Sequence, residues 1–185
     1  MSDRTVDWTF ETVFADALEA VPDEHRDPDR FVPGVGPHSA AVMLVGEAPG
    51  GQEVAQGEPF VGQAGQQLDR TLESIGHDRR ELYVTNLVKV RPPENRDPSV
   101  AEIGAWRPVL EAELERVDPA VLVPLGSFAT AELLEEDGTI TDLHGELFEA
   151  DGRIVVPSFH PAAALYDRSK VDAIESALRT AFEAA

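Results

Sequence analysis

The sequence predicts an α/β fold of three layers, α/β/α, with a mainly parallel central sheet of about four strands. Two observations carry that prediction. Short continuous apolar runs without helical spacing recur at Ala41-Val42-Met43-Leu44-Val45, Leu82-Tyr83-Val84, Ala120-Val121-Leu122-Val123 and Arg153-Ile154-Val155-Val156, and such runs read as strands buried on both faces. Segments of helical periodicity lie between them, and this alternation favours parallel strands joined by right-handed crossovers.

Residues 1–40 hold one amphipathic segment (Val13, Phe14, Leu18, Val21), a polar Pro- and Asp-rich stretch to Arg30, and the turn-rich Phe31-Val32-Pro33-Gly34-Val35-Gly36-Pro37. They read as an arm laid over the 41–185 core of a single domain, 1–185. The first strand stops at Gly46. Gly46 and Gly50 let the main chain turn and approach a ligand, and Pro49 stiffens the turn between them. Gly65, Leu68, Leu72 and Ile75 then recur at helical spacing, with Gly76 where a C-terminal cap belongs. The second strand ends at Thr85-Asn86 and leads through Leu87–Val90 into the loop Arg91–Pro98. Ser99 and Glu102 form a capping box for a helix through Arg116. The third strand ends at Leu125-Gly126-Ser127, before a short helix to Leu134. Leu147-Phe148-Glu149 and Arg153–Val156 flank Asp151-Gly152, a hairpin signal. The last strand runs out at Pro157-Ser158-Phe159-His160-Pro161, and a helix closes the chain.

A chain of 185 residues is long enough to bury a substantial core. It contains no cysteine, which excludes disulfides and thiolate metal sites. No apolar run is long enough for a membrane span or signal peptide, so a cytoplasmic protein without membrane attachment is expected. Acids number 35 against 15 basic residues, of which only Lys89 and Lys170 are lysines. Such an excess ordinarily argues against a nucleic-acid partner. The acids are scattered rather than gathered in a tail, however, and an acid-rich, lysine-poor surface reads as that of a halophile; the alternative is an ordinary acidic cytosolic protein.

In this fold the loops Gly46–Gly62, Thr85–Pro98, Leu125–Ser127 and Ser158–Tyr166 all leave the carboxyl ends of strands, where open α/β sheets bind ligands. The first has neither G-x-G-x-x-G nor G-K-[ST], which argues against a nucleotide triphosphate. Together the loops offer a flat ring (Phe60), an amide that can read a paired N–H and C=O (Asn86), carboxylates (Glu47, Glu53), a second amide (Asn95) and an imidazole (His160). A pyrimidine presents the edge that such an amide reads. There is no nucleophile with an adjacent base and no metal-ligand spacing, which leaves acid-base or electrostatic chemistry on a bound base. Singly, each residue has a plainer reading: His160 as a turn cap, Phe60 as core, Asn86 as a turn former, Glu47 and Glu53 as acidic surface. Their convergence on one edge favours function.

Gly46-Glu47-Ala48-Pro49-Gly50, Pro59-Phe60-Val61-Gly62, Thr85-Asn86, Lys89-x-Arg91-Pro92-Pro93-x-Asn95-Arg96, Leu125-Gly126 and His160-Pro161-Ala162-Ala163, in that order, resemble the family-four uracil-DNA glycosylases. The resemblance implies an enzyme that takes uracil-containing DNA, flips the uridine from the stack and hydrolyses its N-glycosidic bond; a monomer is expected. It implies that Phe60 stacks on uracil, Asn86 bonds its Watson–Crick edge, and Glu53 crowds the 5-position. Gly46 and Ala48 complete the pocket. His160 would donate to O2 of the leaving base, and Glu47 and Asn95 would orient water or steady the sugar. Arg91, Arg96 and Ser127 would contact the DNA, with Leu165 or Tyr166 as wedge.

The chain departs from the family in two places. The family usually holds an iron–sulfur cluster on four cysteines, two in the N-terminal segment and two around the Arg-Pro-Pro loop; Val90 and Trp106 stand in the latter places, so no cofactor is expected. Trp106 is instead expected to cover Val90 and meet the arm through Phe14, Leu18 or Val21. The wedge region, Ala164-Leu165-Tyr166-Asp167-Arg168, also departs from the family's leucine pair, arginine and asparagine. Two other functions compete: a non-catalytic base- or partner-binding module, and a glycosylase for deaminated purines.

Overall fold

The computed structural model describes residues 9–185. In chain order the elements are α1 (Phe10–Val13), α2 (Ala15–Glu19), β1 (Val42–Gly46), α3 (Gly51–Gln56), α4 (Gln63–Ser74), β2 (Tyr83–Asn86), α5 (Val100–Val117), β3 (Val121–Pro124), α6 (Ser127–Leu133), α7 (Ile140–Leu143), β4 (Phe148–Ala150), β5 (Arg153–Val155) and α8 (Ser169–Ala184). The sheet has five strands in the order β2-β1-β3-β5-β4. β1, β2, β3 and β5 are parallel. The first arm of the Asp151-Gly152 hairpin adds an antiparallel edge strand, one more than the expected four.

Alternation along each strand divides the core. Val42, Leu44, Val84, Val121 and Val123 face Leu68 and Leu72 of α4 and Ile174, Ala177, Leu178 and Ala181 of α8. Met43, Val45, Tyr83, Leu122 and Val155 face Leu110 and Val117 of α5 and Ala129 of α6. Each large apolar side chain buried in these layers contributes about 1.5–3 kcal/mol of transfer free energy.

Local chemistry sets the element ends. Gly76 takes φ +81 and the His77 N–H donates to the Leu72 carbonyl at 2.9 Å, which stops α4. The Ser99–Glu102 capping box forms as expected and starts α5. Asp151 and Gly152 both have positive φ, as a two-residue hairpin turn of type I′ requires. Two helices escaped the sequence reading. α3 lies within the stretch read as loop, and α7 follows α6; at four to six residues neither is long enough for apolar periodicity to show.

The arm packs Phe10, Phe14 and Val21 around Trp106, together with Val88, Ile103 and Val109, and Leu18, Phe31 and Val90 are partly buried against the same cluster. Trp106 is 2% exposed. Main-chain bonds tie the arm down as well. Phe31 bridges Val90, the Val32 N–H donates to the Lys89 carbonyl at 2.7 Å, and Arg30 Nη2 donates to the Pro92 carbonyl at 2.6 Å. A bridge from Val35 to Val84 covers the β2 edge, which would otherwise offer unpaired main-chain groups.

Candidate active site

Because β1, β2, β3 and β5 run parallel, their carboxyl ends place the four loops along one edge, as the sequence reading requires. Gly46 and Asn86 are register partners at the ends of β1 and β2. A Cβ on Gly46 would lie 2.5 Å from Asn86 Oδ1 and 2.6 Å from the Phe60 ring, so only glycine leaves room for both groups. The Phe60 and His160 rings stand 5.4 Å apart at 32°. Gly126, after β3, presses against His160: a Cβ there would be 3.3 Å from that of the histidine. Phe60, Asn86 and His160 thus come from three separate loops to one place.

Phe60 is held in the left-handed region, φ 54, which an aromatic residue adopts only under constraint. Arg79 supplies that constraint. Its guanidinium donates to the carbonyls of Pro59 (3.0 Å), Phe60 (2.5 Å) and Gly65 (3.1 Å), and its Nε pairs with Asp69 at 2.7 Å. Gly65 lets α4 approach, since a Cβ there would stand 1.7 Å from the Phe60 oxygen.

His160 Nδ1 accepts from the Ala162 N–H at 3.1 Å, which leaves the proton of the neutral ring on Nε2. Burial pushes its pKa down to about 4, so at neutral pH it is an uncharged donor. Glu47 has the opposite character. Burial, the charge of Asp97 and a hydrogen bond to Asp97 push its carboxyl up to about 7. One edge therefore carries a neutral N–H donor and a carboxyl poised between its two states.

Comparison with known proteins shows the family. The family model described as Uracil DNA glycosylase superfamily matches residues 33–184. The chain belongs to that superfamily. A type-4 uracil-DNA glycosylase of Archaeoglobus fulgidus is 42% identical over 152 residues, covering 78% of this chain and 76% of that protein. One from Sulfurisphaera tokodaii is 41% identical over 145 residues, covering 74% and 66%. One from Saccharolobus solfataricus is 38% identical over 162 residues, covering 83% and 75%.

The other residues singled out in the sequence fall in distinct places. Asn95 is exposed in the left-handed region after Glu94, which is left-handed too, and its Oδ1 accepts from Arg91 Nε at 3.4 Å. Arg91 also reaches the start of α3, its Nη1 lying 3.1 Å from where a Gly51 Cβ would stand. Glu53, on α3, turns its carboxylate back over Gly50. The Ala48 side chain packs, partly buried, on the Trp106 cluster. Arg96 is committed to Glu102 by two 2.8 Å bonds. Ser127 is the exposed first residue of α6, beside Gly126. Leu165 and Tyr166, on the turn after His160, are 38% and 91% exposed.

Arg79 and Asp97 were not among the residues singled out. Neither has a spacing signal, because each acts on a group far away in sequence. The family's iron–sulfur cluster does not fit this chain: there is no thiolate, and aromatic and aliphatic side chains close around Val90 and Trp106.

Proposed function

We propose that the protein removes uracil from DNA by hydrolysing its N-glycosidic bond. The observation that carries this is the neutral His160 Nε2–H, fixed by the Ala162 contact, beside the Phe60 ring, which meets Asn86 across Gly46. Phe60 stacks on the flipped base, and the Asn86 amide pairs with its N3–H and O4. Glu53 approaches from α3 and guards the 5-position. As the C1′–N1 bond breaks, its electron pair passes into the uracil ring and gathers on O2, where His160 donates. A neutral donor suits this, since it stabilises the anion without first giving up a full proton; one such donor is worth on the order of 10²–10³ in rate. Water adds its oxygen to C1′, and Glu47, ionised, takes its proton while Asn95 helps to orient it.

Arg91 and Ser127 meet the DNA backbone, and Tyr166 or Leu165 fills the space that the base leaves, since both present apolar surface to solvent beside the His160 loop. Arg96 contributes less than the sequence suggests, because Glu102 already neutralises it. The charge of −20 at pH 7 and the scarcity of lysine support work in concentrated salt, where such repulsion is screened within about 3 Å at 1 M. We read the protein as a cytoplasmic monomer of a halophile that works without a cofactor. The test is a uracil-containing oligonucleotide incubated with the protein from low to molar KCl, then treated with alkali to cut abasic sites. Cleavage at uracil alone is expected; an intact strand at every salt concentration refutes the proposal.

A further inference from the structure

A polar cluster behind the pocket takes no part in the chemistry above. Lys89 and Glu113 are fully buried, with Nζ and Oε2 2.6 Å apart. Glu113 Oε1 accepts from Tyr83 OH at 3.0 Å and from Thr85 Oγ1 at 2.8 Å. Lys89 Nζ also donates to the main-chain oxygen of Asn86, at 2.6 Å. Gly34 of the arm seals the cluster, because a Cβ there would lie 2.2 Å from Glu113 Oε1 and 2.6 Å from the Tyr83 oxygen.

Taking two charges out of water costs about as much as their attraction returns, so a buried pair is a poor device for stability alone. Its position suggests another use. Side chains alternate along β2, so Tyr83 and Thr85 point toward Glu113 while Asn86 points to the opposite face, toward Phe60. The ammonium thus grips the main chain of Asn86 from behind, where the strand ends and the loop begins.

We propose that the Lys89–Glu113 pair positions Asn86, clamping its carbonyl so that the amide meets the uracil edge in one orientation. The proposal rests on the reading of this edge as a uracil pocket. Lys89 and Glu113 are positioning residues: they touch neither the base nor the reacting atoms. Misplacement of a binding group by about 1 Å can cost on the order of 100-fold in rate. A clamp on the main chain works against such drift, and its burial under Gly34 shields the carbonyl from bulk solvent.

The test is the double variant Lys89→Met/Glu113→Gln, which removes both charges and keeps an acceptor for Tyr83 and Thr85. Thermal melting, affinity for a uracil-free duplex, single-turnover excision and inhibition by free uracil are measured. The expected result is a folded protein with unchanged affinity for uracil-free DNA, excision slowed about 10- to 100-fold, and inhibition by uracil weakened in parallel. Tyr83→Phe, which loses a bond to Glu113 but touches no part of Asn86, should lower the melting temperature and leave inhibition by uracil unchanged. Should the double variant not fold, Lys89→Met alone carries the test, since it removes the donor to the Asn86 carbonyl, with the same direction expected. Wild-type excision and uracil inhibition in the charge-free variant overturn the clamp, as does a loss of uracil affinity in Tyr83→Phe that tracks its loss of stability. Absence of excision by the wild-type protein refutes the pocket itself, so the two failures are distinguishable.

Discussion

Replacing Trp106 by alanine tests what holds the Arg-Pro-Pro loop in a chain without cysteine. The indole is 2% exposed, packs among Phe10, Phe14, Val88 and Val109, and stacks on Phe31 at 6.1 Å between ring centres. A buried tryptophan covers about 150–250 Å². At about 25 cal/mol per Å² this corresponds to roughly 4–6 kcal/mol as an upper bound. Measured truncations of buried Trp or Phe cost about 3–5 kcal/mol. At about 2–4 °C per kcal/mol for a chain of this size, Tm should fall by roughly 6–20 °C. The loss should not be confined to stability. Phe31 bridges Val90 and Arg30 holds the Pro92 carbonyl, so a loosened arm releases the loop that carries Arg91 and Asn95. Calorimetry in molar KCl gives Tm, and a binding titration well below the variant's Tm gives DNA affinity. Trp106→Phe should recover much of both. A Trp106→Ala protein that melts with wild type, or melts early while binding DNA normally, refutes the idea that this cluster holds the loop.

Asn86→Ala and His160→Ala should each lose on the order of 100- to 1000-fold in excision with little change in Tm, and near-normal turnover in both would remove the pocket from the mechanism. Excision should rise with pH through about 7 as Glu47 ionises; His160, titrating near 4, stays neutral across that window. Asp97→Asn should move this limb to lower pH by removing a charge and a hydrogen bond that hold the proton on, and Glu47→Gln should abolish it. A pH–rate profile of the three proteins decides. The same raised pKa, against 4.5 for an ordinary glutamate carboxyl, means that the folded state holds the proton more tightly. Glu47 therefore favours folding below about pH 4.5, and that contribution is lost as pH rises through about 7. Arg79→Met should free Phe60 from its left-handed conformation, weakening uracil inhibition more than DNA binding. Equal losses in both would assign Arg79 a general structural role.

The sequence by itself determined the strand runs, their alternation with helices and hence the convergence of four loops on one edge, because apolar runs, caps and turn residues act over a few positions. The Asp151-Gly152 hairpin and the Ser99–Glu102 cap are local in this sense and formed as read. Phe60, Asn86 and His160 could be placed on that edge from the sequence as well, since each lies at or beyond the carboxyl end of a parallel strand. Only the tertiary structure decided what state those residues are in. Phe60 is held left-handed by Arg79, from beyond the next helix. Glu47 is tuned by Asp97, in another loop. Arg96, which reads as a free cation, is neutralised by Glu102. Glu113 was the one such group with a trace in the sequence, an acid on the apolar face that Val109 and Val117 share, but its partner Lys89 could not be read from that trace. Burial and charge are properties of pairs brought together from distant parts of the chain, and the fold alone assembles those pairs.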